Sequence, residues 1–225
     1  MKNNKVITLD GAVATGKTTV SKIISDKLNG IYIPTGKLYR LISLYILKNN
    51  YIGIKNFNSN ELEKINIYFD EGNFQIENFN YENNQLYSNE IMQIISDVSA
   101  NKFVRDICNI IFRKIISDNI EKYIILEGRD AGTVIFKDAF KQFFLTVSEE
   151  ESAKRRIIQL NNSGQTIEFE KVLLKIRERN HYDSNRSNSP LSISPLAIII
   201  DTTNIDKDQV VKQILSNIDK SNEKK

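Results

Sequence analysis

Apolar residues along this chain follow two rhythms. Val6-Ile7-Thr8-Leu9 is a short apolar run bounded by charge and predicts a buried strand. After Gly11 and Gly16, Val20, Ile23, Ile24 and Leu28 recur on one helical face, with Asn29-Gly30 as the C-cap. Ile31 to Ile33 predicts a second strand, closing a βαβ unit of about 30 residues. Gly36 to Leu47 reads as a further helix. The stretch from 51 to about 90 is asparagine-rich, and alternation at 65–69 and 73–76 predicts a small antiparallel β insert. Helical spacing returns from Ile91 to Ile120. Three more apolar runs, Tyr123–Leu126, Gln142–Thr146 and Ala197–Ile200, predict buried strands. Ser148 and Glu151 form a capping-box pattern ahead of a helix carrying Lys154, Arg155 and Arg156. Strands alternating with helices predict an α/β fold: a parallel five-stranded sheet in three α/β/α layers. The expected single unit has its core at 1–50 and 91–219, the insert at about 51–90, a lid at about 150–166 and a frayed tail at 220–225.

Composition narrows the classes. The 225 residues carry 31 basic and 28 acidic side chains, a net charge of +3, too balanced for a dedicated nucleic-acid binder. With 40% hydrophobic residues, a core is available without disulfide staples. One cysteine and one histidine exclude a cysteine framework or a histidine-rich metal cluster. Cys108, among Ile107, Ile111 and Phe112, reads as a core thiol, and His181 as a loop residue. No apolar run approaches the roughly 18 residues of a membrane span, and the short N-terminal run is not a secretory segment. The expectation is a cytoplasmic monomer with neither nucleic acid nor membrane as partner.

Candidate chemistry starts at Gly11-Ala12-Val13-Ala14-Thr15-Gly16-Lys17-Thr18, which fits G-x-x-x-x-G-K-S/T between a predicted strand and a predicted helix. Such a loop turns successive N–H groups and a helix N-terminus toward phosphate oxygens. Lys17 would neutralise the β/γ oxygens, Thr18 would ligate Mg²⁺, and the ATP contacts would extend to Thr19. The N-K-x-D of a switch GTPase is missing, since Asn101-Lys102 runs into Phe103-Val104. Glu127 resembles the strand-end acid of a motor ATPase, but the chain is short for that class. Arg40, Arg105, Arg129, Arg155, Arg156, Arg179 and Arg186 lie near predicted element boundaries, and guanidinium forks of this kind hold an anionic acceptor in line with a γ-phosphate.

These residues resemble bacterial cytidylate (CMP) kinases, P-loop nucleoside monophosphate kinases, from about Val6 to Val211. The likeness rests on Pro34-Thr35-Gly36-Lys37-Leu38-Tyr39-Arg40, on Glu127-Gly-Arg-Asp-Ala-Gly-Thr-Val134, on Phe144 to Arg156, on Arg179 to Arg186 with Ser189-Pro-Leu191, and on Asp201-Thr-Thr203. Pro34, Ala12, Asn180, His181 and Lys137 depart from residues common there. The resemblance implies transfer of the ATP γ-phosphoryl group to CMP, with dCMP as a second acceptor. It implies that Thr35, Arg40, Arg129 and Arg186 hold the CMP phosphate, with Tyr39 against the nucleotide and Gly36 among the CMP contacts. Ser96, Arg105 and Asp130 would read the cytosine edge, and Arg179 and Asp183 would reach the ribose and phosphate region. Lys17, Arg129, Arg155, Arg156 and Arg186 would carry catalysis, the pair at 155–156 arriving with the lid. Two alternatives stay open: a kinase for another small acceptor such as UMP, AMP or shikimate, and a non-enzymatic nucleotide-dependent binding module.

Overall fold

The structure, a computed structural model, describes residues 4–49, 62–162, 164 and 167–222. Of the expected segments, 1–3 and 50 of the core, 51–61 of the insert, 163 and 165–166 of the lid, and 223–225 of the tail lie outside them. The elements in chain order are β1 (Val6–Gly11), α1 (Lys17–Lys27), β2 (Ile31–Pro34), α2 (Thr35–Lys48), β3 (Ile67–Asp70), β4 (Asn73–Ile76), α3 (Asn89–Ala100), α4 (Lys102–Asp118), β5 (Ile124–Glu127), β6 (Lys141–Thr146), α5 (Glu149–Asn162), α6 (Phe169–Asn185), β7 (Ala197–Asp201) and α7 (Lys207–Asn222). The expected five-stranded parallel sheet is present, in the order β2-β5-β1-β6-β7, beside a two-stranded β3-β4 hairpin. Among the described residues no helix is long and apolar enough to cross a membrane.

Strand alternation sorts side chains into two cores. Val6 of β1 and Ile124 and Leu126 of β5 face a layer built on α2, α3 and α4. Ile7, Leu9 and Ile125 face the opposite layer with Val20 and Ile24 of α1 and Val210, Val211, Ile214 and Ile218 of α7. All six residues of β1 are buried, as a central parallel strand covered on both faces requires. A third, smaller cluster joins α5 and α6 through Ala153, Val172, Leu173 and Ile176.

Local chemistry sets the element ends. α1 closes with Asn29 at φ 48°, Gly30 N–H donating to Ser25 O at 2.8 Å and Asn29 N–H to Asp26 O at 3.2 Å, a Schellman arrangement. Gly30 is required for a different reason: a Cβ there would lie 2.7 Å from Tyr123 O. The helical stretch after Ile91 breaks at Asn101, whose side chain accepts from Val104 N at 3.1 Å and starts α4. The capping box at Ser148 is only half built. Ser148 Oγ accepts from Glu151 N at 3.2 Å, but Ser148 N donates to Thr203 Oγ1 at 2.9 Å, and Glu151 turns to Arg155.

Register brings the functional segments together. Pro34 pairs with Glu127, and Glu127 with Leu9, so the carboxyl ends of β1, β2 and β5 finish in one row. The loop after β1, the first turn of α2 and the segment after β5 therefore emerge side by side, at the sheet edge where parallel α/β folds bind ligands.

Candidate active site

The segment after β1 wraps back on itself. Gly11 at φ 150° brings its α-carbon so close to β6 that a Cβ would sit 2.2 Å from Leu145 O, and Gly16 at φ 87° enters α1. Lys17 is buried at the foot of the loop, its Nζ donating to Ala12 O at 2.5 Å and Thr15 Oγ1 at 3.1 Å. Burial first, and then the facing Arg129, push the Lys17 ammonium down to about 7. Thr18 Oγ1 donates to the Glu127 carboxylate at 2.9 Å, and Tyr32 Oη donates to the other oxygen of that carboxylate. Thr35 Oγ1 donates to Glu127 O at 2.7 Å. Gly128 is tied to this contact, because a Cβ there would meet Thr35 Oγ1 at 2.8 Å.

Next to the loop lies a network of guanidiniums and two buried carboxylates. Arg129 Nη1 donates to Gly11 O at 2.6 Å and Ala12 O at 3.3 Å, while its Nε donates to Asp183 Oδ2 at 3.0 Å. Arg129 thus spans the phosphate loop and α6. Arg179 Nε reaches the same Asp183 oxygen at 3.1 Å, and Arg186 Nη1 approaches Oδ1 at 3.8 Å. Burial works to raise the Asp183 carboxyl, but Arg129 and Arg179 hold it below the ordinary range. Arg105 donates to Asp130 Oδ2 through Nη2 and to Ser99 O at 2.8 Å through Nη1. Arg186 Nη2 stands 3.6 Å from Asp130 Oδ1. Burial raises Asp130, and the two guanidiniums limit that rise. Asp10 at the end of β1 accepts from Ala131 N and Gly132 N, both at 2.8 Å, fixing the turn that carries Arg129 and Asp130. Burial lifts Asp10 to about 6 despite those two amides.

The two groups share one cleft of about 320 Å³. Val13 to Thr19, Thr35, Gly36, Tyr39, Arg40, Arg105, Arg129, Asp130, Arg156, Arg179 and Arg186 all line it. Gly11 and Ala12 shape the loop from behind. Arg40 is held by Leu86 O at 3.0 Å under the exposed ring of Tyr87 at 4.7 Å, and burial lowers its guanidinium to about 10. Tyr39 forms the cleft's apolar wall, its ring beneath Arg105 at 5.3 Å and edge-on to Phe112 at 6.3 Å.

The sequence matches the cytidylate kinase family over residues 7–220. The chain belongs to that family. A cytidylate kinase of Clostridium botulinum (strain Langeland) is 38% identical over 218 residues, spanning 94% of this chain and 96% of its own. One of Fusobacterium nucleatum is 36% identical over 223 residues, spanning 97% and 99%. A solved structure of an uncharacterized protein from Eubacterium ventriosum gives a TM-score of 0.50 at 14% identity over 97% of this chain and 99% of its own, a likeness of fold alone.

Three residues assigned from the cytidylate kinase resemblance stand outside the cleft lining. Arg155 turns away: Nη2 donates to Thr202 O at 2.5 Å, Nη1 to Thr202 Oγ1 at 3.0 Å and Nε to Glu151 at 3.0 Å. It fastens α5 to the end of β7, and Arg156 faces the cleft in its place. Ser96 sits behind Arg179, accepting from its Nη1, while Ser99, one turn later, lines the cleft. Asp183 is fully buried under its arginines. The structure adds Glu127, Tyr32, Ser99, Asp10 and Tyr87 to the site. A strand-end acid beside a phosphate loop was the available signal for Glu127. Asn180 Oδ1 accepts from Val13 N at 3.3 Å, joining α6 to the phosphate loop.

Proposed function

We infer that this cleft transfers the γ-phosphoryl group of ATP to CMP, giving ADP and CDP. The observation that carries the reading is the common cleft: a phosphate loop with Lys17 opens onto the same space as Arg105 and Asp130. One nucleotide's phosphates and another's base therefore have separate walls of one cavity.

The acceptor phosphate is itself the nucleophile, so no side chain need remove a proton. The chain's work is placing charge. ATP lies along the loop amides and the N-terminus of α1, and its negative charge returns Lys17 to the ammonium form. Thr35, Gly36 at the start of α2, Arg40, Arg129 and Arg186 hold the CMP phosphate. Arg129, already hydrogen-bonded to loop carbonyls, neutralises charge between donor and acceptor. Asp130 accepts from the cytosine amino group while Arg105 donates to its ring acceptors. Ser99 lines the cleft beside them, its hydroxyl donating to Ser96 O at 3.1 Å. Asp183, buried behind the cleft, acts through Arg129, Arg179 and Arg186, which it holds, and Arg179 lines the cleft on the ribose side. Arg156 approaches the phosphates as α5 and α6 close as a lid, Arg155 acting as their anchor.

Thr18 and Glu127 present hard oxygen donors beside the triphosphate path, a set that fits Mg²⁺, and these two would hold it. When bound, the ion would supply charge neutralisation along the triphosphate. Leu86 and Tyr87 of the insert, which hold and cover Arg40, form the outer wall of the CMP side, and a cytoplasmic monomer working on free nucleotides, dCMP included, completes the reading. The test is ADP release across a panel of CMP, dCMP, UMP, AMP and shikimate. CMP-dependent release well above the others is expected; equal rates across the panel, or none with CMP, refute the assignment.

A further inference from the structure

We propose that Ser189 is a positioning residue for base discrimination, holding Arg105 and Arg186 in register around Asp130. The proposal rests on the reading of Arg105 and Asp130 as the groups that meet cytosine. Ser189 Oγ accepts from Arg105 Nε at 2.7 Å, and Ser189 O accepts from Arg186 Nε at 2.7 Å. Both arginines then turn their Nη2 groups onto the two oxygens of Asp130. The four residues close a ring: Ser189, Arg105, Asp130, Arg186 and back to Ser189.

Two features separate Ser189 from an ordinary loop serine. Its backbone is left-handed at φ 51°, uncommon for a residue other than glycine, and Pro190 follows, which narrows its choices further. Such a conformation persists where surrounding contacts over-determine it. Leu191 N donates to Asp183 O at 2.7 Å and Asn188 Nδ2 to Ala100 O at 3.0 Å, so both flanks are pinned. Ser189 is absent from the cleft lining, and its influence reaches substrate through Arg105.

The physical role is rotational. Asp130 and Ser99 O hold the Nη groups of Arg105, while the Ser189 hydroxyl at Nε fixes the roll of the guanidinium plane. Cytosine N3 accepts a hydrogen bond and uracil N3–H donates one. A fixed guanidinium N–H therefore favours CMP over UMP, and a loosely held one tolerates both.

Ser189→Gly removes the hydroxyl and relaxes the left-handed backbone, while Ser189→Ala removes the hydroxyl and keeps the strain. In both, the CMP-over-UMP ratio of kcat/KM is expected to fall about tenfold, equal to about 1.4 kcal/mol. The fall should lie in KM for CMP, with kcat at saturating CMP and KM for ATP within about twofold of the parent protein, since only one hydrogen bond to a charged donor is lost. Ser189→Asn tolerates φ above zero and carries an acceptor, so it should recover part of the ratio. A merely structural serine would lower the melting temperature and leave the ratio alone. Arg105→Gln is measured in parallel. If it abolishes the preference and Ser189→Gly leaves it intact, the role of Ser189 is refuted by itself. If Arg105→Gln leaves the preference intact, the base-reading assignment falls and the role of Ser189 with it. A loss carried by kcat or by KM for ATP also overturns the proposal.

Discussion

Replacing Asp183 by Asn tests whether the arginine cluster depends on a buried counter-charge. The carboxylate is fully buried, with Arg129 Nε at 3.0 Å and Arg179 Nε at 3.1 Å on one oxygen and Arg186 at 3.8 Å from the other. Asparagine keeps the shape and one acceptor but removes the charge and turns an NH₂ toward a guanidinium. Removing one member of a buried ion pair costs about 3–5 kcal/mol, mostly from the charge left behind. At about 2–4 °C per kcal/mol for a chain of this size, Asp183→Asn should melt roughly 6–20 °C below the parent protein at pH 7. The pH dependence has a defined sign. Because its arginines hold Asp183 below the ordinary carboxylate range, its stabilisation is full above the unfolded value of about 3.8 and is lost as pH falls through the lower folded value. The gap between the two proteins should therefore stay open at pH 4 and close only in stronger acid. CMP brings a phosphate to Arg129 and Arg186, so saturating CMP should raise the melting temperature of the variant more than that of the parent. Thermal melts from pH 3 to 8 with and without CMP provide the measurement. Equal stabilities at pH 7, or a gap that widens as pH falls, would refute the reasoning.

Lys17, lowered to about 7 by burial, should take up a proton when Mg·ATP binds: about nine-tenths of a proton at pH 8 and about one-tenth at pH 6. Calorimetry in buffers of different ionisation enthalpy measures that uptake, and a value independent of pH would be contrary. Glu127→Gln should weaken Mn²⁺ binding to the ATP complex about 10–100-fold, read by paramagnetic resonance titration; unchanged affinity would remove Glu127 from the metal side. Gly11→Ala drives a Cβ against Leu145 O at 2.2 Å and should destabilise by about 2 kcal/mol or more, with ATP binding lost alongside; a urea midpoint equal to that of the parent protein would show that the strand ends have room.

Where the sequence foretold the outcome, the deciding physics was local. The runs at Val6 and Ile124 announced themselves because strands covered on both faces are apolar throughout, and all but the last residue of β5 are buried. Gly11 to Thr18 was legible because a phosphate loop is a contiguous backbone shape. The arginines were legible as a set, and all of the seven but Arg155 line the cleft. Individual partners were not. Tyr32 and Glu127 lie 95 positions apart and meet only because β2 pairs with β5. The half-built capping box was equally hidden, since Thr203, the acceptor for Ser148 N, lies 55 positions away in the segment after β7 and arrives only because β6 pairs with β7.

Arg155 and Arg156 show why a resemblance assigns segments more securely than side chains. Consecutive residues on a helix point about 100° apart, so on α5 both cannot face one cleft at the same time. Arg156 has only Gln159 as a described partner, at 3.1 Å, and is free to follow a phosphate. Arg155 makes three contacts, two of them to Thr202, and Thr202 Oγ1 in turn donates to Thr146 O at 2.9 Å. Swinging Arg155 inward would uncover acceptors at the end of β7, whereas swinging Arg156 breaks a single exposed hydrogen bond. Ser96 and Ser99 stand about one turn apart on α3 and share a face, so sequence pattern cannot rank them: Ser96 Oγ accepts from Arg179, while Ser99 lines the cleft with its hydroxyl donating to Ser96 O at 3.1 Å. Segment-level assignment therefore follows from motif and register, and side-chain assignment from which neighbours have already claimed each donor.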